Sequence, residues 1–176
     1  MATTTTTVCS IFIGAVIEPA YGEWVSLPCD EEVIDEIIDN IQNALNCEEI
    51  MISDYESKFP QLQINEYSDP YQVNEMVEQL SEYDEEQLEI ITLMMSDWGY
   101  DFEDAIDKVD NWEYKIYNNT DSMKDVAIQV LADDPEFAKI PESFIDYFDY
   151  DSYGRDLEIN GHFSQMANGD YVEIYD

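Results

Sequence analysis

The residues of this chain that could do chemistry are nearly all carboxylates. Asp and Glu number 42 of 176 residues, against 6 Lys and Arg and a single His, and the formal net charge is -36 at pH 7. Paired carboxylates can work as general acid and base or hold a magnesium ion, but at this density some pair is inevitable and identifies nothing. The nearest approach to a metal motif is Asp149, Asp151 and Gly154, which match positions 1, 3 and 6 of a calcium loop. Tyr153 and Asn160 break the match at positions 5 and 12, because the bidentate Glu is missing. His162 has no Cys or Ser in a recognisable catalytic setting, and there is no Gly-rich phosphate loop or nucleophile elbow. The expectation is a protein that is not an enzyme and uses no metal or other cofactor.

What the carboxylates do have is spacing. Glu75, Glu78, Glu82 and Glu89 lie three, four and seven apart, and Asp97, Asp101, Asp104 and Asp107 lie four, three and three apart. On a helix this puts carboxylates on one face at about 5 to 6 Å per step, close to the separation of successive phosphates along a strand. Each like-charged pair costs about 0.2–0.5 kcal/mol, a cost that ordinary surface helices offset with interleaved Lys or Arg. Here the bases are nearly absent, with Lys108 the single one in residues 61–110. Glu31, Asp35, Asp39, Glu85, Glu86, Asp121 and Asp125 join these rows as candidate phosphate-mimicking contacts to a partner.

The charge also excludes partners. Duplex DNA carries one negative charge per about 1.7 Å of axis, so this chain matches roughly 18 base pairs. Direct binding to nucleic acid or to an anionic membrane is excluded by that sum. A disordered acidic tail is excluded as well, because such tails are poor in apolar and aromatic residues, whereas this chain is 45% hydrophobic and 13% aromatic. Residues 1–60, 61–110 and 111–176 carry 12, 15 and 15 acids against 1, 1 and 4 bases, for nets of -11, -14 and -11. The charge is therefore spread over every part of the chain.

The elements that must position these carboxylates are legible from periodicity. Val8 to Ile17 reads as a strand rather than a signal peptide, since Met1 to Thr7 lacks a basic region. A turn at Pro19 to Gly22 leads to a return strand at Trp24 to Leu27. Asp30 is a candidate N-cap for a helix whose stripe is Val33, Ile34, Ile37, Ile38, Ile41 and Leu45. Glu49 to Glu56 reads as a third strand. Val73, Met76, Val77 and Leu80, then Leu88, Ile91, Leu93 and Met95, then Phe102, Ala105, Ile106 and Val109 mark three helical segments. Trp112 to Tyr117 is expected as a strand, Ser122 to Ala132, Pro141 to Tyr147 and Asp149 to Leu157 as helices, and two final strands meet at Asn168-Gly169, a strong hairpin signal. The expected fold is α+β and elongated, in three small units. These are an N-terminal antiparallel sheet with a helix (1–60), a middle acidic helical bundle (61–110) and a C-terminal mixed unit with a hairpin (111–176). Cys9, Cys29 and Cys47 make neither a metal spacing nor an even disulfide set, which suits a reducing cytoplasm. No run of about 18 apolar residues is present to span a membrane.

Three stretches resemble the ArdA antirestriction family. The run Tyr147-Phe148-Asp149-Tyr150-Asp151-Ser152-Tyr153-Gly154-Arg155-Asp156-Leu157, continued by Glu158-Ile159-Asn160-Gly161, is similar to that family's Y-x-D-Y-x-A-x-G-R-D-L segment. Ile52-Ser53-Asp54-Tyr55-Glu56 resembles an I-H-D-Y-E strand end, and Gly22-Glu23-Trp24 with Leu27-Pro28 resembles an early G-x-W element. Ser53 and Ser152 depart from the common His and Ala. The resemblance implies a DNA mimic, of the kind carried on mobile genetic elements, that acts in the cytoplasm of a bacterial host. It would occupy the DNA-binding groove of type I restriction-modification enzymes, at their modification core. It also implies a homodimer formed through the C-terminal part. Leu131-Ala132-Asp133-Asp134-Pro135-Glu136 is the candidate counterpart of the family's antirestriction motif, and Arg155 is a candidate for either an internal ion pair or a contact across the dimer. Two other readings stay open at this stage. One is an acidic module for a different basic DNA-binding protein; the other is a halophile-adapted structural protein, against which the many Ile and Tyr argue.

Overall fold

A computed structural model of the chain describes residues 9–60 and 62–175; Val8 and the stretch from Met1 to Thr7 lie outside the described residues. The described residues form two compact units divided between Leu88 and Glu89. The fold is α+β, with two small antiparallel sheets and seven α-helices among the described residues.

In the first unit, β1 (Cys9–Ala15) lies between β2 (Glu18–Leu27) and β3 (Ile50–Ser57), both pairings antiparallel. Cys9, Ile11 and Ile13 alternate along β1 into the core, as a half-covered strand requires. Two helices pack on this sheet, α1 (Glu31–Leu45) and α2 (Pro70–Leu80). Ile34, Ile37 and Ile41 are the buried stripe of α1, joined by Val73, Val77 and Leu80 of α2, while Val33 is left exposed. Burying each such side chain stabilises the unit by about 1.5–3 kcal/mol. Asp30 takes the N-cap position of α1, but its side chain makes no capping bond. Asp69 does cap α2, accepting from the Tyr71 N–H at 2.9 Å, with Pro70 in the first turn where a missing N–H costs nothing. The side chain of Asn74, itself buried, clasps the Cys29 backbone on both its N–H and its carbonyl at 2.9 Å.

The return strand is longer than expected. Pro19 to Gly22 is not a turn but the first half of β2, and the reversal sits at Val16 and Ile17. Pro19 is tolerated because β2 is an edge strand. Gly22 is required by close approach, since a Cβ there would lie 2.0 Å from the Ile13 carbonyl oxygen.

The second unit holds most of α3 (Glu85–Asp97), then α4 (Phe102–Asp110), β4 (Tyr114–Tyr117) and α5 (Met123–Ala132). A 3-10 turn (Phe137–Lys139), α6 (Glu142–Ile145), α7 (Tyr150–Asn160), β5 (Phe163–Gln165) and β6 (Tyr171–Ile174) complete it. The strand order is β4-β6-β5. The β5–β6 hairpin turns through Gly169 at φ 97°, a conformation that favours glycine. Helices α5 and α7 pack together over a core of Tyr117, Met123, Val126 and Phe163, with Val130, Leu157 and Tyr171 around it. Gly154 makes this possible, because a Cβ on it would stand 2.5 Å from the Met123 carbonyl oxygen. The helices expected between 61 and 110 are present, with α2 in the first unit and α4 in the second. On α3 the buried side chains are Ile90, Ile91 and Met94; Leu88, Leu93 and Met95 are only half-buried. That helix is apolar around most of its circumference, so periodicity alone does not choose its face.

Candidate functional site

Among the described residues, no Asp or Glu side chain is buried; the buried polar residues are Asn74, Thr120 and Ser164. Helix faces account for this. Each apolar stripe turns one side of its helix into a core, and the intervening carboxylates are forced outward. Of the candidate contacts, Glu31, Asp35, Asp39, Glu75, Glu78, Glu82, Glu85, Glu86, Asp97, Asp101, Asp104, Asp107 and Asp121 are exposed, and Glu89 and Asp125 are half-buried.

The candidate carboxylates separate into two groups by what their oxygens do. Several are engaged within the chain. Asp35 accepts from the Tyr71 hydroxyl at 2.5 Å, a bond that raises the tyrosine pKa to about 12. Asp97 accepts from the Ser164 hydroxyl at 2.8 Å, which in turn accepts from the Trp98 indole at 2.9 Å. Glu89 accepts from the Ala167 N–H. Asp101 is the N-cap of α4, accepting from the Asp104 N–H at 2.9 Å. Asp125 accepts from the Ser122 hydroxyl at 2.7 Å and the Asp121 N–H at 3.1 Å, and these bonds hold its carboxyl below the usual range. By contrast, Glu75, Glu78, Glu82, Glu85, Glu86, Asp104 and Asp107 make no side-chain hydrogen bond or ion pair among the described residues.

The rows are interrupted. Glu75 and Glu78 stand on α2, but Glu82 follows its C-cap at Ser81. Asp97 ends α3, and Asp101 precedes α4, which carries Asp104 and Asp107.

Bases are distributed unevenly. Residues 1–88 hold 20 acids and 1 base, and residues 89–176 hold 22 acids and 5 bases, nets of -19 and -17 that make up the total of -36. The ion pairs among the described residues all lie in the second unit: Lys108 with Glu113 at 3.0 Å, Lys115 with Asp133 at 3.0 Å, Lys124 with Asp151 at 2.8 Å, and Lys139 with Glu136. The candidate motif at 131–136 is thus committed to its own neighbourhood. Leu131 is buried, Asp133 holds Lys115, Asp134 accepts from the Glu136 N–H at 2.7 Å to shape the turn, and Glu136 holds Lys139.

Arg155 is exposed and forms no ion pair within 4 Å among the described residues, so the internal pairing expected for it is not found. Asp151, one turn before it on the same helix, is paired with Lys124. Asp149 is the N-cap of α7, accepting from the Ser152 N–H at 3.0 Å and hydroxyl at 2.7 Å. Those bonds, with a smaller contribution from the nearby Arg155 charge, hold its carboxyl below the usual range. The calcium-loop resemblance at 149–160 is in fact this helix, and no group of three or more possible metal ligands occurs among the described residues. Cys9 is buried, Cys29 and Cys47 are half-buried, and all three are free thiols.

One feature has no carboxylate signature. Neither the 3-10 turn nor α6 contributes a buried residue. Phe137, Phe148, Tyr150 and Tyr153 stack edge to face with centroids 5.0–6.3 Å apart, while Phe144 and Tyr147 beside them are 66% and 86% exposed. Phe137, Phe148, Tyr150 and Tyr153 are half-buried, so Phe144 and Tyr147 are the rings of this group that lie on the surface.

A family model described as antirestriction protein (ArdA) matches residues 20–173, most of the chain. Comparison with curated proteins returned no match.

Proposed function

Because the chain belongs to the ArdA antirestriction family, we propose that it inhibits type I restriction-modification enzymes by imitating DNA. Its carboxylates stand in for phosphates, fill the basic groove of the modification core and exclude the duplex. The observation that carries this reading is the group of carboxylates on α2, α3 and α4 that face solvent with no side-chain partner among the described residues. A surface helix gains nothing from such a row, and each like-charged step costs about 0.2–0.5 kcal/mol. A basic groove reverses that sign by supplying the missing cations.

Charge density supports contributions from several elements. One carboxylate per helical turn gives a charge every 5.4 Å or so of axis, whereas a DNA strand, whose phosphates are that far apart only along its own winding path, presents one per about 3.4 Å of axis. A single row is therefore too sparse, and neighbouring rows must share the groove. Phe144 and Tyr147 supply an apolar face suited to a homodimer, which would double the imitated length to roughly 36 base pairs.

The test is a restriction assay with unmodified DNA, a type I enzyme and increasing amounts of this protein. Protection is expected, and it should weaken as salt screens the contacts. Complete cleavage at every protein concentration would refute the reading for that enzyme. Protection that ignores salt would replace charge imitation with an apolar interface.

A further inference from the structure

Two cavities, of about 640 and 480 Å³, adjoin at β3 and share Met51, Glu66 and Tyr67 in their walls, the smaller reaching Val16 and Pro19 at the β1–β2 turn. The larger is lined by five consecutive strand residues, Met51 to Tyr55. Successive side chains of a strand point to opposite faces, so a cavity touching all five lies along the edge of the strand and not over one face. The sheet order leaves that edge open, because among the described residues β1 is the only ladder partner of β3. An open edge carries a row of main-chain donors and acceptors able to pair with another chain. Here the Tyr55 N–H is bonded to the carboxylate of its own neighbour Asp54 at 2.9 Å.

The far wall is a fixed turn. Asn65 Oδ1 accepts from the Tyr67 N–H at 2.9 Å, and Ser68 Oγ accepts from the Asn65 N–H at 3.0 Å. This holds the Tyr67 ring out beside the groove at 88% exposure. Val16, Pro19, Ile50 and Met51 make an apolar floor, Asp54 and Glu66 line the groove with negative charge, and no base lines either cavity.

We propose that this groove binds an extended segment of a partner protein, in which Lys or Arg alternates with apolar residues, as an added strand beside β3. The main-chain edge fixes the extended form, Asp54 and Glu66 select the cations, and the floor with Tyr67 takes the apolar side chains. This mode of recognition reuses sheet pairing. It goes beyond phosphate imitation and stands independently of it, since duplex DNA has no main-chain donors to offer a sheet edge.

The full chain, labelled with 15N, is titrated with a ten-residue peptide alternating Lys and Val. Amide shifts should concentrate at residues 50–55 and 65–68, with slowed hydrogen exchange in β3. Tyr67→Ala should weaken binding about five- to tenfold, as expected for an aromatic anchor, while Trp112→Ala, another exposed ring in the other unit, should leave it unchanged. The same peptide N-methylated at alternate residues keeps its charge but loses ladder donors, and should bind at least tenfold more weakly. Equal binding of the two peptides, shifts spread evenly over α1 and α2, unaltered affinity in Tyr67→Ala, or no binding at all would each overturn the proposal.

Discussion

Replacing Glu75, Glu78 and Glu82 together by Gln should make the protein a poorer inhibitor and a more stable fold. The first effect follows from their having no side-chain partner among the described residues. Exposed ion pairs contribute about 0.2–1 kcal/mol each, so losing three contacts to a basic groove costs about 0.6–3 kcal/mol, or roughly 3- to 150-fold in affinity. The second effect follows from where they stand. Glu75 and Glu78 are a like-charged i,i+3 pair on α2, worth about 0.2–0.5 kcal/mol of repulsion. Glu78 also lies in the last turn of a helix with no base there, where a negative charge opposes the dipole by about 0.3–1 kcal/mol. Relief of both should raise stability by about 0.5–1.5 kcal/mol and Tm by roughly 1–6 °C for a chain of this length. Inhibition is read as the protein concentration giving half-protection in a type I restriction assay, and stability by thermal melting. Asp101→Ala is the contrasting variant, since it removes a capping bond and should lose about 1 kcal/mol of stability. Unchanged inhibition by the triple variant would refute distributed phosphate imitation by α2. A fall in its Tm would refute the claim that these side chains are held against the interest of the fold.

Three further outcomes are expected. Gly154→Ala drives a Cβ to 2.5 Å from the Met123 backbone; the forced separation of α5 and α7 should cost about 1–3 kcal/mol, a Tm loss of roughly 2–12 °C, and an unchanged melt would show that the helices separate freely. The bond from Tyr71 to Asp35 keeps the phenol protonated up to about 12, against about 10 when unfolded. Its small contribution is thus complete below pH 10 and lost as pH rises toward 12, so urea melts should show wild type exceeding Tyr71→Phe at pH 8 and the gap closing above pH 10. If the proposed homodimer forms through this face, Phe144→Ser with Tyr147→Ser should shift sedimentation to the monomer and weaken inhibition, and an unchanged species in the ultracentrifuge would refute that contact.

The legible parts of the fold were those written in local periodicity. The buried stripe of α1, the helical segments at α2 and α4 and the Asn168-Gly169 hairpin all depend on residues within a turn or two of one another. Pro19 and Gly22 carry a turn signal yet stand in β2, since proline also suits an edge strand and glycine a close strand approach. The surface was legible as a surface, because a carboxylate of this number has nowhere else to go. Which carboxylates remain free was not legible. Asp97 is engaged by Ser164, Glu89 by Ala167 and Asp35 by Tyr71, partners separated by 67, 78 and 36 residues, and no spacing rule reaches that far.

The uneven placement of bases gives the charge a direction that the total alone lacks. Isolated surface ion pairs add little to stability, yet those of the second unit join different elements: Lys124 on α5 to Asp151 on α7, and Lys115 on β4 to Asp133 beyond α5. The first unit has one base for 20 acids and must rely on dissolved ions to screen its own repulsion. The screening length grows from about 8 Å at physiological salt to about 30 Å at 0.01 M, so dilution acts most on the unit without internal cations. Hydrogen exchange at low salt should therefore accelerate in α1 and α2 before α5 and α7. Equal acceleration in the two units would show that ion pairs do not set this order. A basic partner acts as a concentrated counterion in the same scheme. Its binding should restore protection chiefly in the first unit, and the stabilisation gained there should shrink as added salt takes over the same role.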